Sequence, residues 1–394
     1  MAVADAAEPS PSGSSWFYNP QVRSLVFQAV LVVVVVLLIS WFVRNTAENL
    51  AQLHIASGFG FLSDRAGFNV QTFLPFTPDD TYGYSILAGL VDTIIVSVLG
   101  IVIATIIGVL VGVARLSSNA LIRLLATTYV ETFRNIPPLL VIFFWYFAVI
   151  AALPEPRNAI QLGSDFSLSN RGFFMPRPIF GSGFEWTIVA FVLGLVGAWV
   201  IKRWAYARQM RTGRAFPSFW AGLGFVVVLT LVVFVASGSP LTFDVPVKTR
   251  FNLRGGMEIT PEFASLLLAL GLYTASFIAE IVRAGIMAVS HGQTEAAHAL
   301  GLRRGRTLRL VILPQALRVI IPPLTSEYLN LTKNSSLAVA IGFADLVAVG
   351  GSILNQTGQS VEVVLIWMVV YLGLSLITSY GMNMFNRRMA LVER

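Results

Sequence analysis

Residues 290–314 read SHGQTEAAHALGLRRGRTLRLVILP, a short polar island between two long apolar runs. Ser290 followed three residues later by Gln293 is a capping-box pattern, and Ala296, Ala297, Ala299 and Leu300 favour helix. Gly301 stands where a helix stop in left-handed geometry is expected. The stretch therefore predicts a helix over His291–Leu300, roughly 15 Å long at about 1.5 Å per residue. Its three small alanines would let another protein surface approach the backbone closely.

The runs on either side set the environment. The 394 residues are 56% hydrophobic and 12% charged, against roughly 25% charged in soluble domains, and mean hydropathy is +0.74. That composition predicts an all-α integral membrane protein with several spans. The net charge of +7 follows membrane topology, because the basic residues fall between apolar spans, and nucleic acid is not needed to explain it. With no cysteine, thiolate catalysis and Cys-based metal sites are excluded. The histidines are His54, His291 and His298, too far apart for an HExxH helix, and no GxSxG elbow occurs. An intramembrane enzyme is therefore not expected. The lysines are Lys202, Lys248 and Lys333, preceded by Ile201, Val247 and Thr332. A Walker A loop needs Gly-Lys, so no ATP site of that kind exists in this chain and no cofactor is expected here.

Taken in order, residues 1–20 are expected to form a disordered tail, and 21–85 an extra first span (Ser24–Val43) with an external polar segment. That span is long enough to cross about 30 Å of hydrocarbon and is expected to be retained, not cleaved. The second span runs near Ile86–Ala114 and is interrupted by Asp92. The third, about Leu124–Leu153, carries Pro137-Pro138, where a bend or helix restart is expected. Residues 154–260 hold two external loops and two further spans, about Trp186–Ile201 and Phe216–Ser237, linked by the basic KRWAYARQMRTGR. The sixth span is about Pro261–Met287, a seventh region covers Ala316–Ala348, and the eighth is about Val363–Phe385, with a tail from 389 to 394. With both termini placed in the cytoplasm, 17 of the 27 Lys and Arg fall on that side and 8 outside, which supports that orientation for eight spans.

Ionisable groups inside spans are costly unless paired or facing water, so each is a candidate for a transport path. They are Asp92, Glu131, Arg134, Glu280 and Lys333, with Glu327 nearer an end. Glu131 with Arg134, and Glu280 with Arg283, could instead be i,i+3 ion pairs that only stabilise the fold. NLTKNSS, Asn330 to Ser336, is a dense donor set that could meet a carboxylate through Asn330, Lys333, Asn334 and Ser335, although Lys333 could also snorkel to the interface. Acidic groups such as Asp92, Glu131 and Glu280 would also suit a secondary transporter driven by an ion gradient.

Glu295-Ala296-Ala297, three residues, Gly301, nine residues, then Val311-Ile312-Leu313-Pro314 resembles the EAA loop of ABC importer permeases, with Val311 in place of Ile. Tyr129–Phe147, Tyr273–Leu302 and Ala316–Gly342 are similar to the matching parts of the polar amino acid permeases, the histidine/glutamine group, although Asn135-Ile136-Pro137 stands where that group often has Gly-Thr-Pro. The layout, with its extra first span, GFGFLSDRAGFNV (Gly58–Val70) and the insertion at 154–260, is similar to the larger permease of bacterial general L-amino acid importers. The resemblance implies a type I importer permease fold of about eight transmembrane helices, with core parts at 86–153 and 261–388. It implies that Glu295, Ala296, Ala297, Gly301, Leu313 and Pro314 dock a cytoplasmic coupling helix on a separate ATPase that carries the ATP and Mg. It further implies two such ATPase subunits, a second and different permease, a periplasmic amino-acid-binding protein, an L-amino acid substrate and a place in the bacterial inner membrane.

Overall fold

The apolar runs fold as helices, since backbone groups in hydrocarbon must find their partners within the segment. The computed structural model describes residues 20–52, 57–249 and 253–389. The tail at 1–19, His54 and residues 390–394 lie outside them. In chain order come α1 (Pro20–Gln52), α2 (Tyr82–Ala114), α3 (Ala120–Arg134) and α4 (Pro138–Phe143), which continues as a π-helical stretch, Phe144–Ile150. Then follow β1 (Ile160–Leu162), β2 (Phe166–Ser169), β3 (Gly172–Met175), β4 (Arg177–Phe180), α5 (Phe184–Thr212) and α6 (Ser218–Ala236). After β5 (Leu241–Asp244), β6 (Val247–Lys248), β7 (Leu253–Arg254) and β8 (Met257–Ile259) come α7 (Pro261–Met287), α8 (His291–Ala299) and α9 (Arg304–Thr307). The last passes through a π turn, Leu308–Ile312, into α10 (Leu313–Asn334) and a 3-10 stretch, Ser335–Ile341, before α11 (Leu346–Thr357) and α12 (Ser360–Met389). Among the described residues seven helices are long and apolar enough to cross a membrane, and eight if the bent pair Ala120–Arg134 and Pro138–Ile150 is one span.

The restart expected at Pro137-Pro138 is present: Ala120–Arg134 and Pro138–Ile150 meet at 110°, Pro137 preceding the second helix and Pro138 taking a first-turn position where its missing N–H costs nothing. Two expectations need correction. The basic stretch after Ile201 is no loop: α5 runs on to Thr212, with Arg203 stacked 4.5 Å from the Trp199 ring and Arg208 5.4 Å from Trp204, and ends where Gly213 turns left-handed at φ 66°. The loops at both ends of the insertion form sheet. One sheet has the order β1-β2-β3-β8, with Phe173 opposite Ile259 and Met175 opposite Met257, and β4 pairs antiparallel with β5. These strands are only two to four residues long and are bounded by Gly and Pro, so their alternation is too brief to read as strand.

The chain divides into two units, Met1–Asp92 with Ala344–Leu374, and Thr93–Phe343 with Ser375–Arg394. In the first, Phe61, Ala66 and Tyr82 pack with Val349, Ile353 and Val363. Asp92 is fully buried there, and its Oδ1 accepts the Phe73 N–H at 3.0 Å, fastening the preceding polar segment to α2. Asp345 caps α11 by accepting from the Ala348 N–H at 2.8 Å.

The second unit is built around α7, buried along most of its length. Helix α2 runs parallel to it at glycine contacts. A Cβ on Gly271 would meet the Ile103 side chain, one on Gly108 would lie 2.6 Å from Ile278, and one on Gly112 2.7 Å from the Ala279 carbonyl oxygen. Small residues are what let helices in lipid approach this closely. Both helices therefore end on the same side. Gly108→Val and Gly112→Val are expected to cost about 1–3 kcal/mol each by overpacking, read as a lower apparent melting temperature in detergent. Gly373→Val, where a Cβ meets nothing within 4 Å, should leave it unchanged.

Candidate functional site

The island from Ser290 forms α8, three residues after the end of α7. Its far end closes as expected. Gly301 sits at φ 77°, its N–H donates to the His298 carbonyl at 2.9 Å, and the Leu302 N–H donates to the Ala297 carbonyl at 3.0 Å. This pair of bonds is the Schellman closure, which asks for a residue without a Cβ at the left-handed position. The near end differs from the capping box. Ser290 occupies the N-cap but its side chain makes no capping hydrogen bond; the Gln293 N–H donates to the Ser290 carbonyl at 3.0 Å, and the Gln293 Oε1 accepts from Gln315 Nε2 of α10 at 3.3 Å.

The two faces of α8 are unlike. Behind it, Ala297 is 3% exposed and the buried Thr307 donates to the Arg303 carbonyl at 3.3 Å, holding the turn that leads into α9. On the open side, the Glu295 side chain is 72% exposed and pairs with His291 at 3.0 Å. Ala296 is exposed beside it, and Leu300 is 81% exposed. Pro314 takes a first-turn position of α10, and Leu313 is exposed.

Near the same end of α7 lies a cluster of two acids and two arginines. Arg115 closes α2, and its guanidinium binds Glu280 through Nη1 and Glu131 through Nη2, the latter at 3.4 Å. Glu280 also holds Arg283 on its own helix. The Arg115 side chain is 10% exposed and that of Glu131 55%, so the inner part of the cluster is the dry part. The Glu280–Arg283 pair expected from its spacing is present. Glu131 and Arg134 do not pair. Glu131 turns to Arg115, and Arg134 lies over the Phe277 ring, 5.5 Å from its centre.

The NLTKNSS stretch closes α10. Its hydroxyls are turned inward to the backbone: Thr332 donates to Tyr328 O at 3.0 Å, Ser335 to Thr332 O at 2.8 Å and Ser336 to Lys333 O at 2.7 Å. Ser335 is fully buried, so it does not belong with the outward donors as the sequence suggested. Asn330 and Lys333 are exposed and Asn334 half-buried. Among the described residues nothing joins them to the Arg115 cluster.

Residues 192–391 match the family described as "Binding-protein-dependent transport system inner membrane component". The chain is 55% identical over 397 residues, 99% of each protein, to the "General L-amino acid transport system permease protein AapQ" of Rhizobium johnstonii. The chain belongs to this family of ABC transporter permeases. Two more relatives are similar to it. The "Glutamate/glutamine/aspartate/asparagine transport system permease protein BztB" of Rhodobacter capsulatus is 40% identical over 428 residues, 100% of each. The "Glutamine transport system permease protein GlnP" of Escherichia coli K12 is 31% identical over 215 residues, 55% of this chain and 94% of its own.

Two residues of the permease were not singled out from sequence. Arg115 read only as a positive charge after an apolar run, and nothing in the run says whether that charge meets water or an acid. Leu300 read as a helix former, although an apolar residue just before the stop glycine of an otherwise polar helix is a usable signal. Glu280→Gln leaves Arg115 facing one distant carboxylate and should destabilise the permease by about 2–3 kcal/mol, less than a fully buried pair because the cluster is partly wet. Glu131→Gln should cost well under 1 kcal/mol. Apparent melting temperatures of the purified variants check both.

Proposed function

We propose that this chain is the membrane-spanning subunit of an importer that moves L-amino acids from the periplasm into the cytoplasm, driven by ATP hydrolysed on separate subunits. The observation that carries the reading is α8: a nine-residue helix held from behind by Ala297, Gln293–Gln315 and Thr307, with Glu295, Ala296 and Leu300 left bare on its open side. A helix so fixed to its own protein and so open on the other side suits docking in a groove of a partner. The EAA pattern and the names of the long relatives support an ATPase as that partner and amino acids as the cargo. In this reading two ATPase subunits carry ATP and Mg, a periplasmic binding protein delivers substrate, a second and different permease completes the pathway, and both termini are cytoplasmic.

The path is assigned to Asn330, Lys333 and Asn334, which keep free polar atoms, with Glu131, Arg134 and Glu280 at its inner end. Lys333 offers the one cation in that stretch able to meet a substrate carboxylate. An ion-gradient-driven carrier is less well supported, because its acids would have to be free to load and unload. Glu131 and Glu280 are instead bound to arginine, and one oxygen of Asp92 to a backbone amide.

The test is reconstitution with the cognate ATPase and binding protein. Gly301→Asp should cut ATP-dependent amino acid uptake by at least about tenfold while the permease still folds, since aspartate tolerates left-handed backbone better than most residues. Gly301→Asn, which tolerates it as well without the charge, should keep most of the uptake. Equal uptake by wild type and Gly301→Asp would overturn the docking role. Lys333→Ala should raise the concentration of substrate needed for half-maximal uptake by about tenfold, the value of one lost charge-assisted hydrogen bond. Unchanged kinetics would remove Lys333 from the path.

A further inference from the structure

The insertion contains a groove that lies outside the path proposed above. Helices α5 and α6 pack chiefly on each other, through small residues: a Cβ on Gly222 would stand 3.1 Å from Ala198 Cβ, and one on Gly194 3.1 Å from the Val226 backbone. Beside this seam runs an open groove of about 780 Å³, with Phe191, Leu195 and Trp199 on one wall, Phe219 and Leu223 on the other, and Lys202 and Ser218 at one end. Its walls are apolar and well exposed.

The groove has a length and a polarity. From Phe191 to Lys202 is eleven residues, about 16 Å at about 1.5 Å per residue, and that is about half of a hydrocarbon core of about 30 Å. It thus spans one leaflet, apolar throughout and cationic at one end only. No Asp or Glu occurs between Glu185 and Asp244, whereas Lys202, Arg203, Arg208, Arg211 and Arg214 all lie there. The Arg203 and Arg208 guanidinium groups lie over Trp199 and Trp204. Among the described residues the Lys202 ammonium has no hydrogen-bond or ion-pair partner. A basic pocket between spans whose cations lack acids is suited to a phosphate headgroup.

We propose that the α5–α6 groove binds an anionic phospholipid, with Lys202 and Ser218 meeting the headgroup phosphate and one acyl chain lying along Leu195, Leu223 and Phe191. The Lys202 stem reaches the interface along Trp199, as long basic side chains do at the ends of spans. Arg203 and Arg208, fixed by their rings, add positive potential at the headgroup level without leaving the helix.

The full-length protein, purified in mild detergent and exchanged into nanodiscs of phosphatidylcholine with or without phosphatidylglycerol, provides the test. Lipid retained after detergent washing is quantified by mass spectrometry. Wild type should retain phosphatidylglycerol in preference to phosphatidylcholine, Lys202→Gln should lower that retention about fivefold, and Leu223→Trp, which fills the groove, should lower it too. Inorganic phosphate should not displace it, because the chain supplies much of the binding. Equal retention of the two lipids by wild type, unchanged retention in Lys202→Gln, or displacement by phosphate would each overturn the proposal. So would a photocrosslinker at Leu223 that captures a polypeptide in native membranes in place of lipid. Should either variant fail to fold, the wild type alone decides: its melting temperature must rise with phosphatidylglycerol, and no rise refutes the site.

Discussion

The contact between α2 and α7 at Gly108 and Gly112 is the constraint on which the second unit rests. In lipid no hydrophobic force drives helices together, so close packing and polar contacts must hold them. The two glycines bring the helices within van der Waals reach over about one turn, and because the helices run parallel, the register continues to the polar end. There Arg115 of α2 arrives beside Glu280 of α7. A guanidinium at that depth needs an acid, and the glycine register supplies it. Neither feature would make sense alone: the contact without the charges would leave α2 free to slide, and the charges without the contact would not meet.

The same end of α7 leads through Ala288, Val289 and Ser290 into α8. So short a link leaves little freedom between the surface helix and the span. Glu280 of α7 in turn holds Arg115 of α2, with Glu131 of α3 on the wetter side of the cluster. The π turn at Leu308–Ile312, together with Pro314, leaves the helix ladder irregular at the start of α10. Helix α8 is thus tied at one end to α7 by three residues and at the other to α10 through α9 and this turn.

Most of the helical plan was legible in the sequence, because a run of twenty apolar residues has one stable solution in lipid and because Gly301, Pro137 and Pro314 mark ends by their own backbone chemistry. What escaped reading depended on contacts between distant segments. The strands at 160–180 and 241–259 are too short to show a period, and two of their pairings, β3 with β8 and β4 with β5, join segments more than sixty residues apart. Gln293 looked like half of a local cap, but a glutamine 22 residues further on takes its oxygen. Glu131 had Arg134 one turn away and still turned to Arg115, a choice made by the packing of α2. At NLTKNSS composition misled in another way: a hydroxyl on a helix is as readily satisfied by the carbonyl one turn back as by a ligand. The helix His291–Ala299 with its Gly301 stop was the stretch read best, since the signals that bound it are local.

The pairing of β3 with β8 has a consequence for how this chain relates to shorter ones. Met175 stands opposite Met257, so the polypeptide leaves for the α5–α6 hairpin and returns from it at a single register position, about 5 Å apart across the sheet. Everything between, β4, α5, α6 and β5 to β7, is a cassette whose two cut ends already touch. Removing it would ask the remaining chain to bridge no more than one strand spacing, the geometry in which insertions are gained and lost at least cost to the host fold. A permease of this build can therefore carry an accessory pair of spans as a graft, bound by a few ladder hydrogen bonds and free to diversify while the helices around α7 stay as they are.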